Sequence, residues 1–379
     1  MNKFTSLIVS ATVMAGTTVS AAPFLAIGDS AELFLTGTVG VRFSDNVTLS
    51  SNAIEDVVFE VTPGFALEFG KNALTSGSFS YQEAISRYVD TSNLDSELSS
   101  VRFNANYDNG KTQVGVNASY EELNQNTPTL QNPNDGELSP RDVITVGGDG
   151  EFEVSQKSSM SVGLTYVDTA YEQTAFTDSE IATVPLKYYF ELTPKVDASV
   201  GFRYRNSDLS NSNGTPAIDS EDFFYSVGAR GDFTPKLKGS FSVGLTDRQN
   251  DGGPDRSTLG LDSSLDYLWS EKTTFNAAIS NDFGSSGQGE SQENSSISLG
   301  VRVQVWPELS LNSKATYRKI DYFNKPADDY YEFTLGGEYT LNEYVTFTSG
   351  AVYKDNKSGL GASGDFDNTE FSFAARIRY

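Results

Sequence analysis

Cysteine and histidine are both absent from the 379 residues. Without cysteine there is no disulfide frame. Without imidazole, most zinc, copper and iron sites are excluded, and so are nearly all nucleophile–base pairs. Long apolar runs are equally scarce. After the N-terminal segment, no stretch approaches the ~18 uncharged apolar residues that a spanning helix needs. Basic residues are few: 27 Lys and Arg stand against 51 Asp and Glu, a net charge of −24. That balance excludes a nucleic-acid partner, which requires a basic face.

What is present begins with an export signal. Lys3 supplies a short positive region, residues 4–19 are apolar or small and uncharged, and Val19-Ser20-Ala21 before Ala22 fits small-residue cleavage. Residues 1–21 are therefore expected to be a Sec-type signal peptide, leaving residues 22–379 as one domain. No lipobox cysteine follows, so no lipid anchor is expected.

The composition is rich in rings and glycine, with 25 Phe, 19 Tyr and 33 Gly, although hydropathy is negative overall. The last segment shows how the two coexist. Phe371, Phe373, Ala375, Ile377 and Tyr379 alternate with Glu370, Ser372, Ala374, Arg376 and Arg378. A strand sends successive side chains to opposite faces, so this segment has one apolar and one charged face. The same period runs along the chain. Val101, Phe103, Ala105 and Tyr107 oppose Arg102, Asn104 and Asn106; Ile297, Leu299, Val301, Val303 and Val305 oppose Ser298, Arg302 and Gln304. A soluble β-sandwich also alternates, but one this long would need a large shared apolar core. In lipid the apolar face needs no core.

Two kinds of connection punctuate the strands. Short ones carry tight-turn chemistry: Gly70-Lys71-Asn72, Asp108-Asn109-Gly110, Thr193-Pro194-Lys195, Thr234-Pro235-Lys236 and Asn342-Glu343. Rings precede several of them, as at Phe69, Tyr107, Trp269 and Trp306. Long polar connections cover residues 123–139, 206–220, 248–255, 284–294 and 355–367. Short turns at one end and long loops at the other describe an all-β fold, a transmembrane antiparallel up-and-down β-barrel of about 18 strands (16–18). Both termini and the short turns are expected on the periplasmic side. Pro63 and Pro185 fall inside strands and predict bulges, because proline cannot donate to the ladder.

Charges keep to one parity. Arg42, Arg102, Arg203, Arg230, Arg302, Arg376 and Arg378 all oppose the apolar face, as do Glu60, Glu332 and Glu338. An arginine on the lipid face at the midplane would cost about 2–4 kcal/mol. These residues are therefore candidates for a water-filled lumen, where facing charges filter polar solutes by size and sign. Equally, they could pair with one another and merely fill the barrel. In the acidic loops, Asp251 and Asp255 flank Gly252-Gly253, and Asn134-Asp135-Gly136-Glu137 is similar. Oxygen ligands around glycine suit Ca²⁺, but the spacing is not that of an EF-hand loop. Divalent bridging to lipopolysaccharide or simple solvation would explain the same acids. No cofactor is expected, and an enzyme is not expected either, since outer-membrane hydrolases generally use imidazole. Glu151 and Glu153 lie two apart on one strand face and read as lumen charge.

The stretch Val39-Gly-Val-Arg-Phe-Ser-Asp-Asn-Val-Thr-Leu, followed by Asp56-Val-Val-Phe-Glu-Val-Thr-Pro63-Gly64, resembles the β-barrel porin type 2 family of Gram-negative outer membranes. The aromatic-x-Asp-Asn phrase (Phe43, Asp45, Asn46) and the Asp-led strand ending in Pro-Gly carry the likeness. The final strand, with Phe371, Phe373 and Tyr379, also looks like the signal read by the barrel-assembly machinery, which usually ends in Phe. The resemblance implies a porin-like channel for small hydrophilic solutes. Some relatives are associated with exopolysaccharide export, so a non-conducting barrel acting in export, or as a surface scaffold or adhesin, is the alternative.

Overall fold

Period-two alternation, aromatic and β-branched enrichment and regularly placed turn residues make the strand the dominant regular structure of this chain, beside one 3-10 turn at Ser92–Leu94 among the described residues. The computed structural model describes residues 22–124, 139–210, 217–361 and 364–379. The expected signal peptide and the Asn134–Glu137 motif lie outside the described residues. A short strand β1 (Leu25–Ile27) precedes β2 (Ala31–Ser44), β3 (Asp56–Phe69), β4 (Thr75–Tyr88), β5 (Ser96–Asp108), β6 (Thr112–Leu123), β7 (Arg141–Ser155), β8 (Ser158–Tyr171), β9 (Ser179–Thr193) and β10 (Val196–Leu209). There follow β11 (Ser220–Asp232), β12 (Leu237–Asn250), β13 (Arg256–Ser270), β14 (Thr273–Ser285), β15 (Ser291–Trp306), β16 (Leu309–Tyr322), β17 (Asp328–Thr340), β18 (Val345–Lys357) and β19 (Phe366–Arg378). From β2 onward each strand pairs antiparallel with the next, and β19 pairs with β2, closing an eighteen-stranded barrel. Closure removes the free edges that an open sheet would present.

The closing seam keeps like faces together. Phe371 stands opposite Phe43, Phe373 opposite Val41 and Ile377 opposite Gly37. Leu35 and Tyr379 exchange both backbone hydrogen bonds, at 2.6 and 2.9 Å. The small strand β1, invisible to periodicity because it is only three residues long, folds back on β2 through a turn at Gly28 (φ 63°). Phe24 beside it meets the Tyr379 ring edge-on at 6.2 Å.

Short turns are locked by the side chain that opens them. Asn109 Oδ1 accepts from the backbone N–H groups of Lys111 and Thr112, Thr234 Oγ1 from Lys236 and Leu237, and Asn342 Oδ1 from Tyr344 and Val345. These are the local side-chain bonds that make Asn, Ser and Thr turn formers. At the other end the strands run further than the apolar pattern predicts. β10 reaches Leu209, β12 reaches Asn250, and the connection expected over residues 284–294 is strand except for residues 286–290. Apolar alternation stops where the lipid stops, whereas ladder hydrogen bonds continue as long as a neighbouring strand is there to pair.

Pro63 and Pro185 make no bulge. The pairs Val61–Ile85 and Gly64–Gln82 flank Pro63 in one register, as Val162–Leu186 and Thr165–Thr183 flank Pro185. Proline here needs room rather than an extra residue, and glycine provides it. Gly37 faces Pro63, and a Cβ on Gly163 would lie 3.1 Å from Pro185 Cγ. Register shifts occur instead where strands enter short turns, at Glu153/Ser155, Val196/Asp197, Leu268/Ser270 and Gln304/Trp306.

The barrel is apolar outside. Val39, Leu299, Phe333 and Phe373 are each 50–57% exposed, and such residues form a continuous outer band. That band exceeds the few hundred Å² of contiguous apolar surface usual for a soluble monomer. Among the described residues no helix is long and apolar enough to cross a membrane. Trp269 and Trp306 project outward near the short turns. Toward the long loops the band ends in tyrosines that donate to carboxylates: Tyr81 to Glu83 at 2.8 Å, Tyr120 to Glu122 at 2.9 Å, Tyr166 to Glu180 at 2.8 Å and Tyr317 to Asp329 at 2.6 Å. A ring with a polar tip suits that interface.

Candidate functional site

The lumen face collects the charges. Arg42 Nε donates to Glu60 Oε1 at 3.0 Å and lies 4.0 Å from Glu370, which also accepts from Lys354 at 3.0 Å. Arg378 pairs with Glu68 at 2.5 Å, and its guanidinium sits 3.9 Å from the centre of the buried Phe34 ring. Arg102 pairs with Glu121 on the neighbouring strand (Nε–Oε1 2.6 Å). Antiparallel pairing sets the Arg42, Lys354 and Arg102 contacts, because it places lumen residues of adjacent strands side by side, whereas Arg378 reaches over Phe34 of β2 to Glu68 of β3.

Arg230 does something different. Its Nη1 and Nη2 grip Glu151 in a fork, at 2.8 and 2.6 Å, while Nε reaches Asp197 at 3.2 Å and the guanidinium lies over Tyr189 at 3.3 Å. Glu151 is on β7 and Arg230 on β11, four strand spacings of about 4.8 Å apart along the wall. The wall is therefore sharply curved around β8–β10, and this cluster bridges the lumen near the short-turn end.

A second bridge lies toward the long loops. Arg203 and Arg205 of β10 both reach Asp282 of β14, at 2.6 and 3.1 Å. Asp222 of β11 pairs with Arg205 at 2.5 Å and with Arg248 of β12 at 2.7 Å. The Asp222 and Arg248 side chains are 1% and 0% exposed, so this pair is fully sealed from water. The same arginines serve the backbone of β14: Arg205 Nη2 donates to Phe283 O at 2.7 Å and Arg248 Nη1 to Gly284 O at 2.6 Å.

Phe283 O is available because β13 leaves β14, whereas Gly284 O lies on the β15 side and takes Arg248 as an added donor. The β13–β14 ladder stops at Leu261–Asn281, although β13 stays paired with β12 and β14 with β15 beyond that point. Three contacts show where the tips go. Lumen-parity Thr258 of β13 bonds outward-parity Glu293 of β15. Lumen-parity Arg256 lies over the outward-parity Phe323 ring at 4.4 Å. Lumen-parity Arg248 lies 5.2 Å from the outward-parity Phe283 ring, which is only 3% exposed. Inside faces meet outside faces only if the tips of β14–β16 have slipped inside β13. The wall overlaps itself, and residues 282–294 lean into the lumen. Their tip is anchored by Gly287 O, which accepts from Thr177 N at 2.8 Å, and by Ser291 Oγ on Asn250 at 3.1 Å.

Among the expected lumen residues, the structure joins Arg42 to Glu60, Arg203 to Asp282, Arg230 to Glu151 and Arg378 to Glu68. Glu332 accepts from the Tyr330 hydroxyl at 2.8 Å. Arg302 and Arg376 make no ion pair among the described residues. Arg302 lines two adjoining pockets at the short-turn end, of about 210 and 370 Å³, one shared with Glu338 and Glu308 and the other with Lys238 and Asp266. Asp251 and Asp255 do not converge on a third ligand. Asp255 Oδ1 accepts from Asn250 N at 3.3 Å, and no group of three or more acidic ligands gathers among the described residues. Sequence reasoning missed Asp222, Arg248 and Asp282. Arg248 was expected in a loop, yet its parity continues that of Ser242 and Thr246, and extending the count would have placed it in the lumen.

No curated protein sequence matches this chain. Among solved structures, OccK2 (OpdF) of Pseudomonas aeruginosa superposes with a TM-score of 0.51 at 11% identity, over 92% of this chain and 98% of that one. The ferric enterobactin receptor PfeA of Pseudomonas aeruginosa gives 0.50 at 10% identity, over 92% and 80%. The FrpB iron transporter of Neisseria meningitidis gives 0.51 at 10% identity, over 90% of this chain and 63% of that one. At such identities the likeness is one of fold. The family model described as "Putative beta-barrel porin 2" matches residues 23–379, nearly the whole described barrel. The chain therefore belongs to this porin family and is a β-barrel of the Gram-negative outer membrane.

Proposed function

We propose that the barrel is a passive channel for small hydrophilic solutes, with a charged path from the long-loop bridge to Arg302 and Arg376 at the short-turn end. The observation that carries this reading is the division of the two faces. Paired guanidinium and carboxylate groups from β2, β3, β7, β10, β11, β14 and β19 stand on the lumen face, while the outer face is apolar. Paired charges across a narrow lumen create a transverse field that orders water and favours polar over apolar solutes. Arg302 and Arg376, having no partners among the described residues, are the groups most able to act on a passing ion. Outer-membrane lipid would solvate the apolar band, lipopolysaccharide would meet the tyrosine–carboxylate rim, and the barrel-assembly machinery would read β19.

The experiment is single-channel recording of the refolded protein in planar bilayers. Discrete conductance steps are expected, and Arg302→Glu should shift the reversal potential in a salt gradient toward cation preference. A folded barrel that gives no steps would sink the open-channel reading. The leaning tip specifically favours the second reading, a closed barrel serving polysaccharide export or acting as a surface scaffold, and that silence is what it requires.

A further inference from the structure

We propose that the tip of the β14–β15 hairpin, residues 282–294, is the element that sets the width of this pore, and that Asp222 is the residue that positions it. The inference rests on the channel reading but concerns a different part of the molecule from Arg302 and Arg376.

The tip is held by contacts that no barrel strand needs. A strand in the wall is bonded on both sides by its neighbours. Here β14 has lost β13 beyond Asn281; the Arg205 guanidinium replaces the missing strand as donor to Phe283 O, while Arg248 adds a donor to Gly284 O on the β15 side. Asp222 organises both donors. Its Oδ2 accepts from Arg205 Nε and Arg248 Nη2, at 2.7 and 2.8 Å, and its Oδ1 from Arg248 Nε at 2.7 Å. Its side chain makes no hydrogen bond or ion pair with a residue of the tip, so it acts through the two arginines. Removing its charge leaves sealed Arg248 with no anion and Arg205, 16% exposed, with Asp282 alone, so the two cations will separate or recruit solvent. Either response withdraws the groups that cap the β14 carbonyls.

The seat is also incompletely satisfied. Arg203 Nε and Gln292 Oε1 are buried there with no hydrogen-bond partner. Buried polar atoms left unpaired favour the alternative in which water reaches them. A tip that returns to the wall would restore the β13–β14 ladder and widen the lumen. Asn281 is placed to hinge that change, since its side chain bonds Leu259 O at 2.8 Å and Glu293 Oε1 at 2.7 Å across the overlap.

Three variants test this. Asp222→Asn releases the latch. Replacing residues 282–294 by Asn-Gly removes the tip, joining Asn281 to Ser295, which face each other in the ladder. Thr258→Cys with Glu293→Cys, added to Asp222→Asn, permits a disulfide across the overlap in a chain that has no other cysteine. Heat-modifiable gel migration first confirms that each barrel is folded. The tip-deleted barrel should show at least twofold larger unitary conductance than the wild type, and admit larger sugars in liposome swelling. Asp222→Asn should move in the same direction, and oxidation of the cysteine pair should return it to the wild-type value until reductant is added. A silent wild type with a conducting tip-deleted barrel supports the proposal while ending the open-channel reading. Equal conductance with and without the tip, or a folded tip-deleted barrel that stays silent, overturns the proposal.

Discussion

Phe373→Arg tests which solvent the outer face meets. Phe373 lies near the middle of β19, is 53% exposed, and faces Val41 across the closing seam. Its ring stacks on Phe347 of β18, with centroids 5.9 Å apart and planes inclined by 17°. An arginine at the bilayer midplane costs about 2–4 kcal/mol. Loss of the aromatic pair adds about 0.5–1.5 kcal/mol. The sum, about 2.5–5.5 kcal/mol, weakens the folded state by roughly seventyfold to ten-thousandfold. Arg376→Ser is the control on the same strand. Arg376 faces the lumen opposite Thr38 and Thr346 and has no ion pair among the described residues, so its loss should cost under about 0.5 kcal/mol. Urea unfolding in phosphatidylcholine vesicles, followed by fluorescence of the two tryptophans, Trp269 and Trp306, measures both. The face assignment is refuted if the two variants unfold within about 1 kcal/mol of each other, because that difference cannot vanish when one face meets lipid and the other water.

Arg230→Ala should destabilise the barrel by about 2–3 kcal/mol, somewhat below a fully sealed pair because its side chain is 17% exposed. Arg230→Lys should recover only part of that in the same urea assay, since an ammonium cannot fork onto Glu151 while lying on Tyr189. Two turn glycines separate conformational strain from collision. Gly110 has φ 84° with nothing within 4 Å of an added Cβ, so Gly110→Ala should cost about 1 kcal/mol. Gly70 has φ 75° and an added Cβ would stand 1.9 Å from Thr75 O, so Gly70→Ala should cost clearly more and slow refolding.

Local pattern carried the strands. The strand led by Asp56 and the turn at Gly70-Lys71-Asn72 bound β3 where it is observed, at Asp56–Phe69, and the seam between β19 and β2 follows from the need to pair the two outer strands of a closed sheet. Parity also set these arginines on the face opposite the apolar band, because a strand offers each side chain only two directions. It could not say which acid each arginine would meet. The Arg42–Glu60 contact joins adjacent strands and could be guessed, but Arg230–Glu151 and Arg205–Asp282 cross four strands and depend on how the wall curves.

The sequence by itself determined the barrel, its approximate strand number and which face is dry. Those properties arise from a two-residue period and turn chemistry, both written locally along the chain. Only the tertiary structure decided that the wall overlaps itself at β13 and β14, that Asp222 and Arg248 are sealed, and that residues 282–294 lie inside. The reason is that a strand tip beyond the lipid is no longer held to the wall by its apolar face. Its position is then chosen by distant partners, here arginines of β10 and β12, whose reach no local pattern records.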